Sequence, residues 1–106
     1  MVELQQGTKD GGIDLIAVRK DDFLGEHRYL LQAKRYGNKV GVEPVRQLLF
    51  LHSYFRATKS CLACTATFTK GAWELAHQYR WQLELKDVLG LTDWLKTAAS
   101  IKRLEL

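Results

Sequence analysis

A single α/β domain, with a mixed sheet led by a β-hairpin and flanked by helices, is the fold class the sequence predicts. Three observations predict it. Two segments near the start, "GGIDLIAVRK" (11–20) and "RYLLQAKRYG" (28–37), carry strand-type apolar patterns and are separated by the turn-forming "DDFLGEH". The rest of the chain switches between helical and short strand patterns, so the order reads β-β-β-α-β-α-β-α. The length of 106 residues, 46% of them hydrophobic, suits one core of ordinary domain size.

The elements follow in chain order. "VELQQG" (2–7) is a short extended run. In the next strand Ile13, Leu15 and Ala17 face one way and Asp14, Ile16 and Val18 the other; both faces are mostly apolar, which predicts an internal strand. Gly11 and Gly12 ahead of it suit a tight turn or bulge, and no helix follows them to make a phosphate cradle. The segment 28–37 completes the hairpin. A helix is expected within "KVGVEPVRQLLFLHSYFRAT" (39–58), where Pro44 suits a first turn, Glu43 complements the positive helix end, and Val45, Leu48, Leu49, His52 and Phe55 form one stripe. "SCLACTATF" (60–68) reads as a buried strand. Thr69 caps a helix in "TKGAWELAHQYRW" (69–81), "QLELKD" (82–87) is a strand, and a last helix falls within "LTDWLKTAASIKRL" (91–104). No repeat, low-complexity tract or linker divides the chain, so residues 1–106 read as one domain.

Composition narrows the function classes. A formal charge of +4 favours polyanionic partners without requiring them. Two cysteines, Cys61 and Cys64, offer no disulfide framework, and "MVELQQGTKD" lacks the charged and apolar regions of a secretion signal, so a cytoplasmic setting is expected. No apolar run approaches the roughly 18 to 20 residues of a membrane span. A soluble chain is therefore expected.

The chemistry-bearing constellation spans the hairpin. Gln32 and Lys34 emerge on one strand face while Ala33 points the other way. If that face meets Asp14, a carboxylate, an amide carbonyl and an ammonium converge at one sheet edge. A hard cation such as Mg²⁺ takes carboxylate, carbonyl and water oxygens, and Asp14 with Gln32 would supply two of them. Lys34 would orient a water or stabilise charge at a reacting phosphate.

Taken together, "DGGIDLIA", the hairpin, "QAKRY", "VGVEPVRQL" and "TATFTKGAWELA" resemble the Mrr-like restriction endonucleases, a branch of the PD-(D/E)xK nucleases, from about Val2 to Leu95. The resemblance implies a restriction-endonuclease-like fold and Mg²⁺-dependent cutting of DNA. It implies Asp14 as the main metal-binding carboxylate, Gln32 in the family's D/E/Q position and Lys34 as the catalytic lysine. Relatives usually carry an acid-bearing helix ahead of the first strand, whereas this chain opens on the strand itself. Either the chain is a fragment of a longer protein, or another copy supplies the helix in a homodimer, or the site is incomplete. A nuclease-fold module that binds nucleic acid or protein without cutting is the competing reading.

Plainer readings stand beside these. Lys34 and Asp14 would also suit a structural ion pair. Glu43 is explained by its place in a helix first turn, and Glu3 and Asp10 suit solvent better than a metal. Cys61 and Cys64 have zinc-like spacing but no second pair, and residues three apart on a strand face opposite ways, so buried thiols are expected. His52 reads as a satisfied core-edge histidine, His27 and His77 carry no signal, and Trp73, Trp81 and Trp94 read as core residues. Arg35, Tyr36, Lys39 and Arg46 follow the site and are the candidate DNA-phosphate contacts, against an ordinary solvated loop.

Overall fold

The computed structural model describes residues 2–6, 14–35 and 37–105, with side chains described from Asp14 onward except at 36, 94 and 98–106. Asp10, Gly11, Gly12 and Tyr36 lie outside the described residues, as do the side chains of Glu3 and Trp94. The element order is β1 (Val2–Gln6), β2 (Leu15–Asp21), β3 (Gly25–Lys34), α1 (Val42–Tyr54), β4 (Lys59–Cys64), α2 (Lys70–Gln78), β5 (Leu83–Lys86) and α3 (Val88–Glu105). One five-stranded sheet runs β1-β2-β3-β4-β5. Its first three strands are antiparallel neighbours, and β3, β4 and β5 are parallel. The predicted mixed sheet led by a hairpin is therefore the observed one.

Local chemistry sets the hairpin. The Asp21 carboxylate accepts the N–H groups of Phe23 and Leu24 at 2.8 and 2.9 Å, and Gly25 takes φ +80°, a conformation that only glycine adopts freely. That turn fixes the register, with Leu15 opposite Leu31, Ile16 opposite Leu30 and Val18 opposite Arg28. Leu30, Leu62, Cys64, Leu83 and Leu85 on one sheet face meet Val45 and Leu48 of α1 and Ala72 and Ala76 of α2, all buried. Each such leucine contributes about 1.5–3 kcal/mol of apolar burial. Helix α3 lies on the other face, where Leu91 joins Leu15, Ala17, Tyr29, Leu31 and Cys61 around an apolar cavity of about 300 Å³. No helix among the described residues is long and apolar enough to cross a membrane.

His52 ties α1 to β4. It is buried, as expected, and its Nδ1 lies 2.7 Å from the wholly buried Ser60 Oγ. Burial pushes the His52 pKa below its ordinary 6.5, because the charged ring would lose water. The unfolded chain therefore binds a proton more readily than the fold, and stability at this site is full above about pH 6.5 and is lost as pH falls below it. Melting temperature should drop between pH 7.5 and pH 5, and His52→Gln should flatten that slope. An equal slope in the variant would show that other groups set it.

Four expectations change. β4 ends at Cys64 instead of running to Phe68; the chain turns and re-pairs only at a lone parallel bridge between Val40 and Phe68. Helix α2 ends at Gln78, and α3 starts at Val88 because Asp87, which read as the end of a strand, accepts the Gly90 N–H at 2.9 Å and caps the helix. Trp73 and Trp81 are not core residues: they are 42% and 77% exposed. Trp81 lies in the turn between α2 and β5, with the Arg80 guanidinium 5.4 Å from its ring centre, while Trp73 sets its ring edge-on to buried Phe68.

Candidate active site

Asp14 stands immediately before β2 and is pinned to β3 twice. Its N–H donates to the Leu31 carbonyl at 3.0 Å, and its carboxylate Oδ2 accepts the Ala33 N–H at 2.6 Å. The two bonds bracket Gln32. Continuing the alternation from the Ile16–Leu30 pair puts Asp14, Gln32 and Lys34 on the α1/α2 face of the sheet. The three residues singled out from the sequence are thus neighbours at one end of the hairpin.

Their environments differ. The Asp14 carboxylate is exposed, Lys34 is half-buried at the last position of β3, and Gln32 is 3% exposed beside the core residues Leu30 and Leu62. The Gln32 Oε1 is enclosed and accepts no hydrogen bond from any described residue. An amide carbonyl left this way costs about 1–3 kcal/mol, so proteins seldom keep one without a use for it. A hard cation is such a use. Among the described residues no three His, Cys, Asp or Glu side chains group to hold a metal. Among the described residues, the Asp14 carboxylate and the neutral Gln32 carbonyl are the oxygens brought together here, and with water they fit Mg²⁺, an ion that keeps several of its waters.

The surrounding candidates separate. Arg35 and Lys39 are exposed just beyond β3. Arg46 pairs with Glu43 one turn before it on α1, which accounts for both residues and gives Glu43 a partner other than a metal. Cys61 and Cys64 are free thiols on opposite faces of β4, and burial pushes Cys61 up to about 11. One neighbour had no sequence signal: the turn after β4 joins the site, with the Thr65 N–H donating to the Lys34 carbonyl at 3.2 Å.

An antiparallel hairpin feeding a parallel sheet, with an acid at the hairpin's open end and Gln-x-Lys on the adjoining strand, is the architecture of a nuclease fold. The chain matches the Mrr catalytic-domain family of restriction endonucleases over residues 1–95, and it belongs to that family. No curated protein matches it by sequence. Among solved structures it is similar to the DNA modification-dependent restriction endonuclease AspBHI, with a TM-score of 0.69 and 23% identity over 92% of this chain. It is also similar to the MspJI restriction endonuclease solved with a 27-mer oligonucleotide, with a TM-score of 0.63 and 21% identity over 85% of the chain. A third similar structure, AF1548, is of a protein of unknown function, with a TM-score of 0.59 and 15% identity over 81% of the chain. The chain spans only 26% and 22% of the two restriction enzymes' lengths and 49% of the third.

Proposed function

We propose that this domain hydrolyses phosphodiester bonds in duplex DNA with Mg²⁺, using Asp14, Gln32 and Lys34. The observation that carries the reading is the enclosed Gln32 carbonyl, to which no described residue donates, beside the doubly anchored Asp14. Asp14 and Gln32 would hold the ion, which when bound supplies Lewis-acid polarisation of the phosphate and acidification of water. Asp14 adds the negative charge and is held in place by the Ala33 N–H. Lys34 places its ammonium where charge develops on the phosphoryl oxygens, or holds the attacking water for attack. Cutting both strands of a duplex takes two such sites, which a homodimer would supply. A reducing cytoplasm suits a chain whose two cysteines are free thiols.

A module that binds without cutting is favoured by one observation, the neutral side chain at position 32, which leaves a single carboxylate for the cation. Titrating Mg²⁺ while following the Gln32 side-chain amide by NMR separates the readings. Shifts confined to Asp14 and Gln32 support the nuclease, and silence at high Mg²⁺ supports the module.

Binding to DNA has its own signature. The candidate contacts are Lys and Arg side chains beside a strand end rather than a helix aimed at base edges, so affinity should fall with salt and sequence preference should be slight. Lys39→Ala should lower the log–log salt slope by about 0.9 and weaken all sequences alike. Loss of affinity for one sequence only would place base readout at Lys39. Arg46, already paired with Glu43, should change the slope less.

A further inference from the structure

Strands β3 and β4 are parallel, so the chain leaves both at the same end of the sheet. After Lys34 and Cys64 the two segments part, and they rejoin at the Val40–Phe68 bridge. There the Val40 N–H donates to the Thr67 carbonyl at 2.8 Å and the Thr69 N–H to the Val40 carbonyl at 2.9 Å. Val40 and Phe68 are both buried, which turns their chain neighbours Lys39 and Thr67 outward, and both of these are exposed. Thr65, exposed as well, is fixed one residue past the site by its bond to the Lys34 carbonyl. A turn later Lys70 opens α2 with its side chain 90% exposed, 3.9 Å from Glu74. The start of α2 lies against the start of α1, where a Cβ on Gly71 would come within 3.3 Å of Val42 Cγ1.

The charges in these two segments are one-sided. Residues 34–41 and 64–73 contain Lys34, Arg35, Lys39 and Lys70 and no aspartate or glutamate, in a chain that has 12 acids. The nearby acid Asp87 is engaged in capping α3. Solvent-facing hydroxyls and ammoniums contiguous with Lys34, with Glu74 beside Lys70 at the strip's far end, match a phosphodiester backbone: they offer donors and positive charge and no pattern that reads a base edge.

We propose that the β4–α2 turn is a phosphate-binding strip, in which Thr65, Thr67 and Lys70, with Lys39 across the bridge, hold the DNA backbone next to the cleaved bond. The proposal rests on the nuclease reading and adds a second loop to its binding surface. These residues position the strand and take no part in breaking the bond. Losing Lys70 removes one ionic contact and losing Thr67 removes a neutral one, so the two should respond to salt differently.

The test measures duplex-DNA affinity of the full chain against salt concentration, together with cleavage at sub-saturating DNA. Lys70→Gln should raise Kd several-fold and lower the log–log salt slope by about 0.9, because its long, solvent-exposed contact with Glu74 yields to a phosphate. Thr67→Val should raise Kd with the slope unchanged, and Thr67→Ser, which keeps the hydroxyl, should restore binding. Cleavage at sub-saturating DNA should fall in step with affinity in Lys70→Gln and Thr67→Val. Thermal melts of each variant exclude unfolding as the cause. Wild-type affinity and slope in both Lys70→Gln and Thr67→Val would overturn the strip while leaving the nuclease reading intact, and so would normal binding with slowed cleavage. A wild-type chain that neither binds nor cuts DNA would overturn both.

Discussion

Lys34→Ala should lower the rate of DNA cleavage by about 100- to 1,000-fold, the usual cost of removing one preorganised charge from a transition state. Asp14→Asn should cost at least as much, because asparagine keeps an oxygen for the Ala33 N–H but loses the negative charge that Asp14 brings to the cation. Both variants should remain folded, since Asp14 is exposed and Lys34 stands at a strand end. Relaxation and linearisation of supercoiled plasmid in Mg²⁺, read beside thermal melts, gives the answer. The competing idea, a structural Asp14–Lys34 ion pair, makes the opposite forecast: the two substitutions would be coupled in stability, and cleavage would be untouched. Wild-type cutting by both variants would therefore remove these residues from the chemistry.

The hairpin, and the convergence of Asp14, Gln32 and Lys34 at its open end, were legible in the sequence because they rest on local rules. A carboxylate in an apolar strand run, a turn rich in Asp and Gly, and two polar side chains at spacing two on the next strand place Asp14, Gln32 and Lys34 together once the strands pair. Where the structure departed, non-local forces decided. "SCLACTATF" is β-prone throughout, and only the pairing of Val40 with Phe68 across the chain shows that the segment must turn after Cys64. Asp87 has the same local context whether it ends a strand or caps a helix. Trp81 falls in the turn between α2 and β5, and which face of a turn residue is covered depends on packing that the sequence does not display. Proximity of Thr65 to Lys34 follows from parallel pairing between segments about thirty residues apart, which no local pattern encodes.

The burial of Gln32 is the site property that the sequence does not display, and it sets up the second large effect. If the enclosed carbonyl is kept for a cation, it is a cost to the empty fold, and removing it should separate stability from function. Gln32→Met keeps the side chain's length and volume and deletes the unpaired acceptor. The penalty relieved is about 1–3 kcal/mol, and in a domain of this size 1 kcal/mol moves the melting temperature by about 4–8 °C. The variant should therefore melt no lower than wild type and up to several degrees higher, while Mg²⁺-dependent cleavage and the Mg²⁺-induced rise in melting temperature disappear. Gln32→Glu should do the reverse: a carboxylate buried without a counterion lowers the melting temperature in the absence of metal, and the rise on adding Mg²⁺ grows beyond that of wild type. Melting curves with and without Mg²⁺ report both variants without reliance on activity. A Gln32→Met protein that is destabilised, or that still cuts and still responds to Mg²⁺, would show that the amide is held by the fold for its own sake.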